Sequence, residues 1–119
     1  MWGMFYKTLY PTVKPDDFDV YLNDLKRSLK EPGRFEAAKA LAFSPRIESE
    51  ERLEQVSVPV LVVMGTADPD WPDPVAEAQF IQEALSAELV LVEDAGHYPQ
   101  TEMPDQTNPA IIEFLNGVQ

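Results

Sequence analysis

Cysteine is absent from the 119-residue sequence, and histidine occurs once, at position 97. The first absence excludes disulfides, thiolate metal sites and a cysteine nucleophile within this chain. One histidine with acids scattered through loops offers no metal-ligand spacing, so no metal site is expected. Long apolar runs are missing too. The longest, Val58 to Met64, is far too short to span a bilayer, and the N-terminus lacks the basic segment and apolar core of a signal peptide. A soluble, cytoplasmic protein is the default expectation. Basic residues are scarce, 9 against 21 acidic ones, and the formal net charge is -12. Such a surface repels phosphate backbones and anionic headgroups, which argues against nucleic acid and membrane as partners. A solvated acidic face that keeps the chain in solution is the ordinary reading of the excess.

What is present divides near residue 56. Residues 1–56 read as helical. Phe18, Tyr21, Leu22, Leu25 and Leu29 share one face of a 3.6-residue repeat that Pro15 opens and Glu31-Pro32-Gly33 stops. An alanine-rich helix is expected over 34–43 and a short amphipathic one over 48–55. Trp2, Phe5, Tyr6 and Leu9 suggest the tail of a further helix whose apolar face begins without a cap, which leads us to expect sequence upstream of Met1. From residue 57 the character changes. Val60 to Met64 is a β-rich run without alternation, the pattern of a strand covered on both faces by helices. A loop over 66–74, a helix over 74–85 and a second apolar run, Leu89 to Val92, complete a βαβ unit with parallel strands. A last helix is expected over 107–116.

In open parallel sheets the ligand-facing residues come from loops at the carboxyl ends of the strands. The first such loop here carries Gly65-Thr66-Ala67-Asp68, with Asp70 and Asp73 beyond it, and the second carries Ala95-Gly96-His97. Neighbouring parallel strands open these loops on one edge, so a carboxylate and the sole histidine converge there. A carboxylate beside an imidazole fixes its tautomer and balances the imidazolium, the supporting half of a nucleophile–base–acid relay. Asp68 is the expected acid and His97 the expected base. Asp94, close before the histidine, is the second candidate for the acid. Asp70 and Asp73 read as turn and helix-start residues, and Glu102 as a carboxylate that steadies the histidine loop or the start of the final helix. Trp71 is a candidate substrate contact because an indole in a polar loop near Asp68 is otherwise wasteful. Tyr98 either walls the pocket or packs under the loop. Trp2, Phe5, Tyr6, Phe18 and Phe43 read more readily as core than as pocket lining.

The stretch from Val58 onward resembles the last part of the α/β-hydrolase fold. An apolar strand ends in Gly-x-x-Asp, matched by Gly65 to Asp68. The next strand leads to Gly-His, matched by Gly96-His97, and a following Glu-x-Pro is matched by Glu102 and Pro104. The N-terminal half resembles the helical cap or lid that many members insert before this segment. The resemblance implies an α/β fold class: a cap over 1–56, then a C-terminal core segment over 57–119 built on a parallel βαβ unit with flanking helices. It also implies a cofactor-free hydrolase acting on an ester or a related small apolar substrate.

The nucleophile elbow of that family, Gly-x-Ser-x-Gly, is missing. None of Ser28, Ser44, Ser49, Ser57 and Ser86 is bracketed by glycines in that way. The resemblance places the nucleophile and one oxyanion donor upstream of Met1. A serine there implies ester hydrolysis, and an aspartate implies epoxide-hydrolase or haloalkane-dehalogenase chemistry. Two alternatives stand beside the enzyme: a catalytically inactive fragment that self-associates through an unpaired sheet edge, and a ligand-binding, receptor-like module on a hydrolase scaffold.

Overall fold

The computed structural model describes residues 2–45 and 47–118. The side chain of Trp2, one of the expected apolar positions, lies outside the described residues, as does Met1. The helical half contains α1 (Trp2–Thr8), α2 (Phe18–Ser28), α3 (Arg34–Ala42) and α4 (Ile47–Glu50), followed by a single 3₁₀ turn, Leu53–Gln55. The second half contains β1 (Leu61–Gly65), α5 (Pro74–Leu85), β2 (Glu88–Val92), α6 (Pro99–Glu102) and α7 (Pro104–Gly117).

The two strands pair in parallel, from Leu61 opposite Glu88 to Gly65 opposite Val92. Parallel strands need a crossover, and α5 supplies it. Its start follows from local chemistry: Pro74 fills the first helical position, and Asp73 Oδ1 accepts from Ala76 N at 2.9 Å. Its end is less ordinary. Ser86 adopts a left-handed φ of 49°, and Ala87 N donates back to Gln82 O at 2.9 Å. Both α5 and α7 contact both strands, yet Leu61 to Met64 stay only half-buried, so the full cover expected from the apolar run is not reached.

Three boundaries differ from expectation for physical reasons. Phe18 N bonds Pro15 O at 3.0 Å, so Asp16 and Asp17 form a turn and α2 begins three residues after the proline. The amphipathic stretch expected over 48–55 divides into α4 and the 3₁₀ turn. The last helix starts at Pro104 and not at residue 107, because Thr107 N already bonds Met103 O at 3.0 Å. Pro109 lacks an N–H and therefore sits inside the helix at the loss of one bond.

The main buried cluster lies at the junction of the two halves. Leu9, Tyr10, Phe18 and Leu22 are buried together, with Tyr6 and Tyr98 packed against them. Phe18 is thus core, as its position on the amphipathic face implies. Phe43 is 79% exposed and is not core, because α3 buries none of its residues. Phe5 is also exposed. The cluster joins α1 and α2 to the residue that follows His97.

Candidate active site

Asp68 lies three residues beyond Gly65, the last residue of β1, and His97 five residues beyond Val92, the last of β2. The two loops stack closely. Thr66 N bonds Val92 O at 3.0 Å, Ala67 N bonds Ala95 O at 2.9 Å, and Asp94 N donates to Thr66 Oγ1 at 2.9 Å. Gly65 is what lets them meet, since a Cβ there would run into the carbonyl oxygens of Ala95 and Gly96. Asp94, left-handed at φ 59°, serves the site through its backbone.

Within this frame Asp68 is 5% exposed and its Oδ2 lies 2.9 Å from His97 Nδ1, while the histidine side chain is 36% exposed. Asp68 Oδ1 accepts from Asp70 N at 3.0 Å, so both carboxylate oxygens act as acceptors. An ionised carboxylate only accepts, so a neutral imidazole in this contact carries its proton on Nδ1 and its lone pair on Nε2. That is the tautomer a general base requires.

The structure adds a second carboxylate. Asp70 Oδ2 lies 3.4 Å from the same Nδ1, so Asp70 is a neighbour of the imidazole as well as a turn residue. The Asp68-Pro69-Asp70 order carries the signal, because an aspartate accepting from the N–H two residues on folds that residue back beside it. Ligand atoms of Asp68, Asp70 and His97 all lie within 4.8 Å of one another. A cation among them would need Nδ1 unprotonated and would displace the 2.9 Å hydrogen bond, so the donor set fits a carboxylate–imidazole pair better than a metal site. Asp73 caps α5, as its place before Pro74 implies.

Tyr98 stands edge-on to His97, with ring centroids 5.0 Å apart, and stacks on Tyr10 at 5.1 Å. Tyr6 meets Tyr10, Phe18, Tyr21 and Tyr98 at 5.6–6.1 Å. Burial pushes the Tyr98 phenol up, with the charges of Tyr10, Tyr21, Asp70 and Asp68 adding to it. Burial also raises Tyr6, reinforced by its 3.4 Å hydroxyl contact with Tyr10. The histidine thus sits between buried carboxylate and aromatic wall. Trp71 is half-buried in the acid loop, three residues past Asp68.

Glu102 was legible only as a steadying carboxylate. It is 3% exposed and reaches across the chain: Oε1 accepts from Thr12 N at 2.7 Å and Val13 N at 2.8 Å, and Oε2 from Gly96 N at 2.6 Å. Its link to residues 12 and 13 has no sequence signal, since nothing in the periodicity pairs the α1–α2 connection with the histidine loop.

Adjacent parallel strands that present a buried aspartate and its partner histidine at their carboxyl ends define an α/β protein with a carboxylate–imidazole pair on one edge of its sheet. The chain belongs to the alpha/beta hydrolase family, whose model matches residues 3–110. It is 35% identical over 71 residues to epoxide hydrolase A of Mycobacterium tuberculosis, covering 54% of this chain and 20% of that protein. It is 28% identical over 87 residues to 3-oxoadipate enol-lactonase 1 of Acinetobacter baylyi, covering 73% of this chain and 31% of that protein. The chain therefore spans less than a third of either relative's length. No solved structure matches it. Among the described residues, no helix is long and apolar enough to cross a membrane.

Proposed function

We propose that this chain supplies the base, His97, and the acid, Asp68, of a cofactor-free hydrolase acting on an ester or a related small apolar substrate. The observation that supports the reading is the 2.9 Å contact between His97 Nδ1 and a buried Asp68 at adjacent strand ends. His97 Nε2 takes the proton from a nucleophile or an attacking water and passes it to the leaving group. Asp68 holds the tautomer and balances the imidazolium. Trp71 and Tyr98 border the substrate. One relative is named as an epoxide hydrolase and the other as a lactonase. The same base serves both reactions, and the nucleophile, aspartate or serine, separates them.

Residues 1–119 carry no serine or aspartate bracketed as Gly-x-Ser-x-Gly or Gly-x-Asp-x-Gly. The chain alone is therefore expected to give no saturable turnover of p-nitrophenyl acetate. A saturable rate abolished by His97→Ala would show that the nucleophile lies within it. The pair itself is tested without turnover. His97 is the sole histidine, so its downfield Nδ1–H resonance is unambiguous and is expected to vanish in Asp68→Asn, where the amide group replaces an acceptor. A resonance indifferent to Asp68→Asn sinks the reading.

A further inference from the structure

Between α1 and α2, the segment Leu9 to Val13 is laced into the histidine loop at several points. His97 N donates to Leu9 O at 3.0 Å, and Thr12 Oγ1 donates to Asp94 O at 2.7 Å. Gly96 permits the approach, since a Cβ there would overlap Pro11 Cδ and Leu9 O. Glu102 closes the arrangement from the far side of the loop. Its two oxygens take three peptide N–H groups, two from the segment and one from Gly96, the residue immediately before His97. The three bonds are short, and no cation pairs with Glu102 among the described residues, so the peptide donors alone compensate its burial. A glutamine there keeps one acceptor oxygen but turns its NH₂ group towards a peptide N–H, which breaks the clamp on one side.

We propose that Glu102 is a positioning residue for His97: its carboxylate clamps the α1–α2 connection onto the histidine loop, so that the placement of the imidazole depends on the N-terminal helices. The consequence for catalysis rests on His97 being the base, whereas the clamp is independent of that reading. Movement of the N-terminal helices over a substrate would pass through two peptide groups and one carboxylate to Gly96 and the ring. A pocket closed by those helices would thereby set its own base in place.

The test uses the ¹⁵N-labelled 119-residue chain and compares Glu102→Gln with Asp68→Asn and the parent. In Glu102→Gln, amide exchange at Thr12, Val13 and Gly96 is expected to accelerate about tenfold or more. The paired amides of β1 and β2 keep their protection, and the His97 ring resonances move or broaden. Asp68→Asn is expected to move the ring resonances while Thr12 and Val13 keep their protection. Faster exchange at the three amides with an unmoved His97 ring would reduce Glu102 to a structural role and overturn the proposal. Loss of protection everywhere in proportion would do the same. If Glu102→Gln does not fold, Val13→Pro removes one donor and leaves the carboxylate intact. It should speed exchange at Thr12 and shift the His97 ring, and an unchanged ring again overturns the proposal. A ring insensitive to Asp68→Asn but displaced by Glu102→Gln would refute the acid–base pair and leave the clamp standing.

Discussion

At the scale of residues, one glycine decides whether the histidine loop can meet the α1–α2 connection. Gly96 lies where a Cβ would meet the backbone of Leu9 and the ring of Pro11, while Gly117, near the end of α7, has nothing within 4 Å of the same added atom. Gly96→Ala must therefore push apart the histidine loop and the α1–α2 connection, at a cost of about 2–3 kcal/mol by analogy with overpacked cores. Gly117→Ala should be neutral or stabilising by up to about 1 kcal/mol, the ordinary preference of helices for alanine. Urea unfolding of the two variants checks this, and equal midpoints would contradict it. The close approach at Gly96 was not legible in the sequence, because the contact joins residues more than 80 positions apart with no periodic signal. Asp68 and His97 were legible, because a strand end fixes where its loop opens. Asp70 was half legible: its turn was read, but the return of its carboxylate to the imidazole was not.

At the scale of elements, the crossover helix and the aromatic cluster each carry a prediction. Asp73 caps α5 at one end, and Ser86 holds a left-handed φ of 49° at the other. Asp73→Ala is expected to cost about 1 kcal/mol through the lost cap. Ser86→Gly should add about 0.5–1 kcal/mol by relieving a conformation that glycine adopts freely. Thermal melts of opposite sign are the expected result, and a destabilising Ser86→Gly would mean that its hydroxyl does something the backbone geometry hides. The cluster around Tyr6 and Tyr98 adds a pH dependence. Both phenols are raised in the folded chain, chiefly by burial, so above their ordinary value of 10.0 the unfolded chain releases protons that the folded chain retains. Stability is then fully present below about pH 10 and falls as pH rises beyond it. Tyr6→Phe removes one of the two groups and should flatten that fall in melts taken between about pH 8 and pH 11. An equally steep decline in the variant would exclude Tyr6 as a cause. Strands and long helices were legible at this scale because apolar spacing marks them. The short helix α6 and the early start of α7 were not, since Pro99, Pro104 and Pro109 mask helical periodicity.

At the scale of the whole molecule, the chain is open. Its radius of gyration is 16.3 Å, against about 13.5 Å for a compact chain of this length. It exposes 8612 Å², where a compact monomer of 13.4 kDa exposes roughly 6,500 Å². The excess of roughly 2,000 Å² is larger than the roughly 1,600 Å² that both partners together bury in a standard interface. Its sources are visible: α3 buries nothing, the sheet has two strands, and Val58, Phe80, Leu91, Ile112 and Leu115 are exposed. Among the described residues β1 pairs only with β2, which leaves each strand one open edge. Open apolar edges recruit other strands. The charge of -12 opposes this between identical copies, and that repulsion reaches farther at low ionic strength, with a Debye length of about 30 Å at 0.01 M against about 8 Å at 0.15 M. We therefore expect association of the 119-residue chain to depend on salt in the sense opposite to an electrostatic complex. Sedimentation at about 0.01 M salt should give monomer, and at about 0.15 M and above a concentration-dependent dimer or larger species. A single monomeric species across the series would show that the exposed edge does not self-pair. Association that weakens with salt would assign the contact to charges and not to the sheet. The first outcome would leave the excess surface to a partner other than a second copy, and α3, which buries none of its residues, would be the place to look.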